Sequence, residues 1–430
     1  MKPFGQWRAG FSPAGASAPL GRVLACRAKA PRGLKPAVLA LFVAVTVTAA
    51  HPAFEQVDEI LKELSGITGL APLRKVGRST ITKLEVERFM RDRLKETVKP
   101  EELRAEEIAL KKFGFVPRDF DLKKATIDLL TEQAAAFYDF RRKKLFLLEA
   151  SPAMTQQPVL VHELAHALAD QHFKLERYMK RENDDDAALA RMAVMEGQAS
   201  WLMAEYLARQ RGQSLAASPE LVKMMSQVDA AAGQYPVLDS APLYIRESLM
   251  FPYTKGLLFQ HAVYQKLGRR AFTEVFRRPP SSTQQILHPE LYFEGLHPRE
   301  PVPPEPPSKK GFKEFAEGSL GEFDHEILLR QYAGEREAGQ LAPAWRGGAY
   351  RLWEHKDGTV LLSYASSWKD EDSARRFFGA YRKVLAGKWE RFGVREESAE
   401  QISGHGDGGG FRVRVGGTRV TSLEGLRLVN

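Results

Sequence analysis

The sequence predicts an α+β fold, mostly α, in two parts: a helical N-terminal part with a small β-sheet, and a small C-terminal α+β domain of ββαββ-like order. Three observations carry that expectation. Apolar residues recur at three- and four-residue spacing through most of residues 54–297. Residues 298–307 (PREPVPPEPP) hold six prolines in ten positions, which neither a helix nor a central strand accepts. Beyond them, two strand pairs marked by Asp357-Gly358 and Gly416-Gly417 flank an amphipathic stretch at 370–386. At 430 residues the chain is long enough for two or three domains that each bury a core.

Residues 1–50 read as a signal peptide or anchor. They hold Lys2, Arg8, Arg22, Arg27, Lys29, Arg32 and Lys35, with no acidic residue, and end in the apolar run 36–50 (PAVLALFVAVTVTAA). A basic stretch, an apolar run shorter than the roughly 20 residues of a membrane span and a small-residue exit together predict export, to the periplasm or the extracellular space. Left uncleaved, residues 36–50 would attach the protein to a membrane. The formal charge of +9 belongs mainly to this leader: without its seven cations, 56 basic residues face 54 acidic ones. That near-neutral remainder gives no electrostatic case for nucleic acid. The single cysteine, Cys26, also lies in the leader, so a metal site in the rest of the chain must use His, Asp and Glu.

From 54 to 133 the spacing predicts helices at 54–64, 86–95, 100–113 and 122–133, with a short strand at 78–84 (RSTITKL). Residues 134–149 (AAAFYDFRRKKLFLLE) read as a β-hairpin whose halves, 136–138 and 145–148, flank a basic turn. A long helix at 158–177 follows, then an acidic run at 184–186 read as a solvated loop, then a second long helix at 187–211. Residues 212–297 are helical again. The domains expected are therefore 51–297, a Pro-rich linker at 298–310, and an accessory α+β domain at 311–430.

The chemistry lies in HELAHALADQHF (162–173). On a helix, His162 and His166 stand one turn apart and can bind one Zn²⁺, while Glu163 faces a water at the metal. A zinc enzyme needs a third protein ligand and an open position. Glu196, His172 and Asp170 compete for that role. Glu196 lies in MEGQA (195–199), where Gly197 and Ala199 would let the second long helix approach the first. His172 has the spacing of HExxHxxGxxH sites, but Ala169 replaces the glycine that breaks the helix in those sites. Asp170 lies one further turn along the His162/His166 face, and is better read as orienting a ligand imidazole.

HExxH followed at this distance by a Glu-Gly-x-Ala helix resembles the gluzincin branch of zinc metallopeptidases, the thermolysin-like group. Residues 132–138, 162–173, 195–199, 251–256 (FPYTKG) and 281–292 (SSTQQILHPELY) are more closely similar to a set of exported bacterial metallopeptidase-like proteins. The resemblance covers roughly residues 125–297. It implies a zincin-like domain, Zn²⁺ held by His162, His166 and Glu196, Glu163 as general base, and a polypeptide or peptide substrate. It also implies that the 134–149 hairpin pairs with substrate backbone, and that Tyr253, ahead of His261 and His288, donates to the oxyanion. Two other functions fit the same residues: a non-catalytic envelope protein that keeps a zinc helix for stability, and a zinc amidase acting on cell-wall peptides.

Overall fold

The computed structural model describes residues 51–133, 135–180, 184–226 and 235–427, so the expected leader lies outside the described residues. The N-terminal part opens with α1 (Val57–Thr68), β1 (Gly77–Ile81), α2 (Lys83–Thr97), α3 (Pro100–Phe113) and α4 (Leu122–Gln133). The hairpin β2 (Ala136–Asp139) and β3 (Lys144–Leu148) follows. It joins β1 in a three-stranded sheet of order β1-β3-β2, in which β1 runs parallel and β2 antiparallel to β3. Side chains alternate across β2, as the period-two rule requires. Phe137 stacks with Phe89 and Phe146 on one side, while Tyr138 joins the main core on the other.

Next come α5 (Ala153–Phe173), α6 (Leu175–Lys180), α7 (Asp185–Arg209), α8 (Pro219–Ser226), α9 (Pro236–Ser240), α10 (Leu243–Leu267), α11 (Ala271–Arg277), α12 (Thr283–Leu287) and α13 (Pro289–Glu294). Several boundaries differ from the sequence expectation, most of all at α5. α5 starts at Ala153, with Pro158 inside it, and stops at Phe173. The stop is enforced by a side chain: Asp170 Oδ1 accepts from Leu175 N, while Lys174 takes a left-handed conformation at φ 55°. The acidic run also departs from a solvated loop. Asp184 caps α7 through Ala187 N, and Asp185 and Asp186 are buried.

The C-terminal part comprises β4 (Phe312–Ser319), α14 (Glu322–Tyr332), α15 (Glu335–Leu341), β5 (Trp345–His355), β6 (Val360–Trp368), α16 (Glu371–Lys388), β7 (Gly393–Glu397), β8 (Gln401–Gly406), β9 (Gly409–Gly416) and β10 (Arg419–Leu426). Its seven strands form one antiparallel sheet of order β4-β5-β6-β10-β9-β8-β7. The two expected hairpins are β5–β6 and β9–β10, and the expected helix is α16. The sheet carries three strands more than the ββαββ order, namely β4, β7 and β8, and α14 and α15 add two helices. Their alternation is masked in the sequence by charged and glycine positions, as in β4 (FKEFAEGS) and β8 (QISGHG).

One apolar cluster runs through both parts, from Ala53 to Val420. The Pro-rich segment lies along the sheet, where Arg299 N donates to Arg346 O on β5. The joint between the parts also holds a set of buried polar contacts. Thr283 N and Oγ1 both donate to Asp186 Oδ1, and Phe323 N donates to Thr283 Oγ1. Gln284 Nε2 donates to Glu322 Oε2 at 2.6 Å and to Trp345 O at 2.8 Å, while His288 pairs with Glu322 Oε1 at 2.7 Å. The SSTQQILHPELY motif is thus the seam that docks the C-terminal sheet. Gln284→Ala strips a donor from two buried acceptors and should lower the unfolding free energy of the full chain by about 1–3 kcal/mol. An unchanged denaturant midpoint in urea would show that the seam carries no weight.

Candidate metal centre

The site is assembled from three helices. α5 presents His162, Glu163 and His166 within a buried apolar setting that includes Val161, Leu164, Ala165, Ala167 and Leu168. Four residues advance a helix by one turn, so the two imidazoles lie one above the other. Their rings sit edge to face at 4.7 Å. α7 packs against α5 and brings Glu196 to the same level.

The three donor atoms form a nearly equilateral triangle. His162 Nε2 lies 3.1 Å from Glu196 Oε2, His166 Nε2 lies 3.2 Å from it, and the two Nε2 atoms are 3.1 Å apart. A tetrahedral zinc ion with bonds of about 2.0–2.1 Å places its ligands about 3.3–3.4 Å apart, so the triangle is close to the edge lengths such an ion needs. The donor chemistry points the same way. Two imidazole nitrogens and a carboxylate oxygen, all buried, are turned on one point that a cation can satisfy at once. This is the one His, Cys, Asp and Glu group of metal-binding geometry among the described residues.

Burial governs the titration of these groups. It pushes His162 down from the ordinary histidine range. For His166 burial acts downward too, but the charge and hydrogen bond of Glu196 outweigh it and the ring is raised. Burial alone would raise Glu196, yet His166 and His162 hold its carboxyl down to about 2. Glu163 has no such compensation: burial pushes it up to about 8, against the opposing pull of His166. Its Oε2 accepts from Tyr138 N at 2.7 Å, and its Oε1 has no partner. The sequence reading missed this anchor, because it joins the main chain of one element to the side chain of another.

Tyr253 is the single member of the expected oxyanion trio that reaches the site. Its ring lies over His162 with centroids 6.0 Å apart. Burial, then the charges of Glu196 and Glu163, raise its hydroxyl well above the ordinary tyrosine range, so it remains a donor. His261 is occupied elsewhere, with Nδ1 facing Trp201 Nε1 and Nε2 facing Gln265. His288 belongs to the seam with Glu322.

One open alternative falls away and two expectations are corrected. His172 bonds Ala71 O through Nε2 and takes no part in the donor group. Asp170 is no ligand and bonds neither imidazole. Its Oδ2 accepts from Tyr138 Oη, Arg74 and Lys143, tying the end of α5 to the β2–β3 turn, and it reaches His166 only through its charge. Gly197 does bring a helix close, but that helix is α10. A methyl group at Gly197 would overlap the Gly256 carbonyl, and one at Gly256 would overlap Ala193 O. The glycine of FPYTKG thereby sets Tyr253 against Glu196.

Residues 310–428 match a family described as a domain of unknown function (DUF8575), which covers the C-terminal sheet and leaves α5, α7 and α10 outside the match. No curated protein and no solved structure matches the chain.

Proposed function

We propose that this chain is a zinc-dependent peptidase with a zincin-like N-terminal domain, exported by its leader. His162, His166 and Glu196 hold the ion, and Glu163 is the general base. The observation that carries this reading is the buried donor triangle with a carboxylate beside it that is not one of the three donors. A structural zinc site closes with a fourth protein ligand and has no use for such a base.

A bound zinc ion supplies Lewis acidity, acidifying a water molecule and polarising the carbonyl of the scissile bond. Glu163 is fixed by Tyr138 N through one oxygen and keeps the other available. That oxygen takes the proton of the attacking water and passes it to the leaving amine. Tyr253, protonated beside His162, is the donor to the oxyanion that develops at the carbonyl.

Peptide as the substrate class draws support from β2. It lies at the sheet edge, and Tyr138 N is turned away from β3, toward Glu163. An extended chain laid along that edge would run past the general base. The strand's own residues are buried, so a substrate would have to be admitted to that edge before it could pair.

Glu163→Gln tests the reading. It keeps the size of the side chain and an acceptor for Tyr138 N but removes the base. The expected result is full zinc content with hydrolysis of a peptide library down by roughly a thousandfold, within the range of general base catalysis. Hydrolysis that survives the substitution overturns the assignment of Glu163.

A further inference from the structure

Beyond the metal centre, α5 ends at a cleft of about 490 Å³, within the usual range of roughly 300–1,000 Å³ for ligand sites. Its floor is aromatic. Phe173 and Phe276 stack at 4.5 Å and 15°, and Tyr178 meets Phe276 edge-on at 5.2 Å. Phe173 is half-buried, so part of its surface stays open.

The rim is cationic: Lys174, Arg177 and Arg277 line the same cleft and are exposed. No carboxylate lines it among the described residues. The nearby acids are spent on other cations: Glu274 on Arg278, Glu176 on Arg141, and Asp170 on Arg74 and Lys143. Three positive charges therefore rim one apolar floor with no carboxylate paired to them among the described residues. A carboxylate answers the guanidinium forks, and a ring answers the floor.

We propose that this cleft binds an aromatic group bearing a carboxylate. The same chemistry is offered by a free aromatic acid and by a polypeptide that ends in an aromatic residue. The proposal does not depend on peptidase activity, because none of the cleft's residues belongs to the donor triangle.

The test is calorimetric titration of the full chain with 3-phenylpropionate, with its neutral amide, and with the tripeptide Gly-Gly-Phe. The expected result is saturable binding of the acid, at least about tenfold weaker for the amide and for the Arg177→Glu/Arg277→Glu double variant. Both arginines are exposed, so the variant should keep the fold, checked by its unchanged unfolding midpoint. Binding must also persist in His166→Ala, because a carboxylate can ligate a metal. Tripeptide binding equal to the acid assigns the cleft to polypeptide C-termini, and binding of the acid alone assigns it to free aromatic acids. Equal affinity for the amide, indifference to the arginine charge reversal, or loss of binding in His166→Ala overturns the proposal.

Discussion

A Glu196→Ala variant is expected to lose its metal, while His172→Ala keeps it. Glu196 Oε2 is within 3.1–3.2 Å of both imidazole Nε2 atoms, so its removal takes one of the three donors of the one such group among the described residues. The loss of affinity should exceed the roughly 10–100-fold that follows removal of a ligand's outer hydrogen-bond partner. His172 spends Nε2 on Ala71 O, so its replacement leaves the donor set whole. Metal analysis after dialysis reads both variants directly. Retention of zinc by Glu196→Ala, or its loss from His172→Ala, would mean that a different residue closes the site.

Gly197→Ala should be strongly disruptive at the metal centre. The added carbon would fall on the backbone of Gly256, which cannot swing aside as a side chain can. α7 and α10 must separate, and each carries a site residue next to the crossing: Glu196 precedes Gly197, and Tyr253 lies one turn before Gly256. Overpacking typically costs about 1–3 kcal/mol, and a clash with backbone belongs at the upper end or beyond. Both the unfolding free energy and the affinity for zinc should fall. Gly379→Ala provides the contrast. Gly379 lies within α16 with nothing within 4 Å of a new methyl group, so alanine there should raise stability by about 0.5–1 kcal/mol. Equal effects of the two substitutions would show that the helix crossing is not what fixes the site.

The parts legible in the sequence are those whose cause is local. HExxH marks α5 because the spacing of its residues alone puts both imidazoles on one face. Asp357-Gly358 and Gly416-Gly417 mark β-turns because glycine there adopts positive φ, 85° at Gly358 and 53° at Gly417. What escaped is set by partners remote in sequence. The 184–186 run looks solvated until Thr283 arrives to bond Asp186. Gly197 is visibly a close-approach residue, but nothing local says that Gly256 is its partner. Asp170 looked like an orienting group for a ligand until Arg74, Lys143 and Tyr138 converged on it. The strands β4, β7 and β8 were hidden because an edge strand, or one lined with glycine, lacks a clean alternation of apolar and polar residues.

As proposed, the buried triangle holds a zinc ion that serves peptide-bond hydrolysis. The most direct measurement is cleavage of a peptide library by the full chain, stripped with a chelator and then restored with zinc at about one equivalent. Cleavage should disappear on stripping and return at that stoichiometry. A chain that takes up one zinc ion at His162, His166 and Glu196 and cleaves no peptide bond would contradict it.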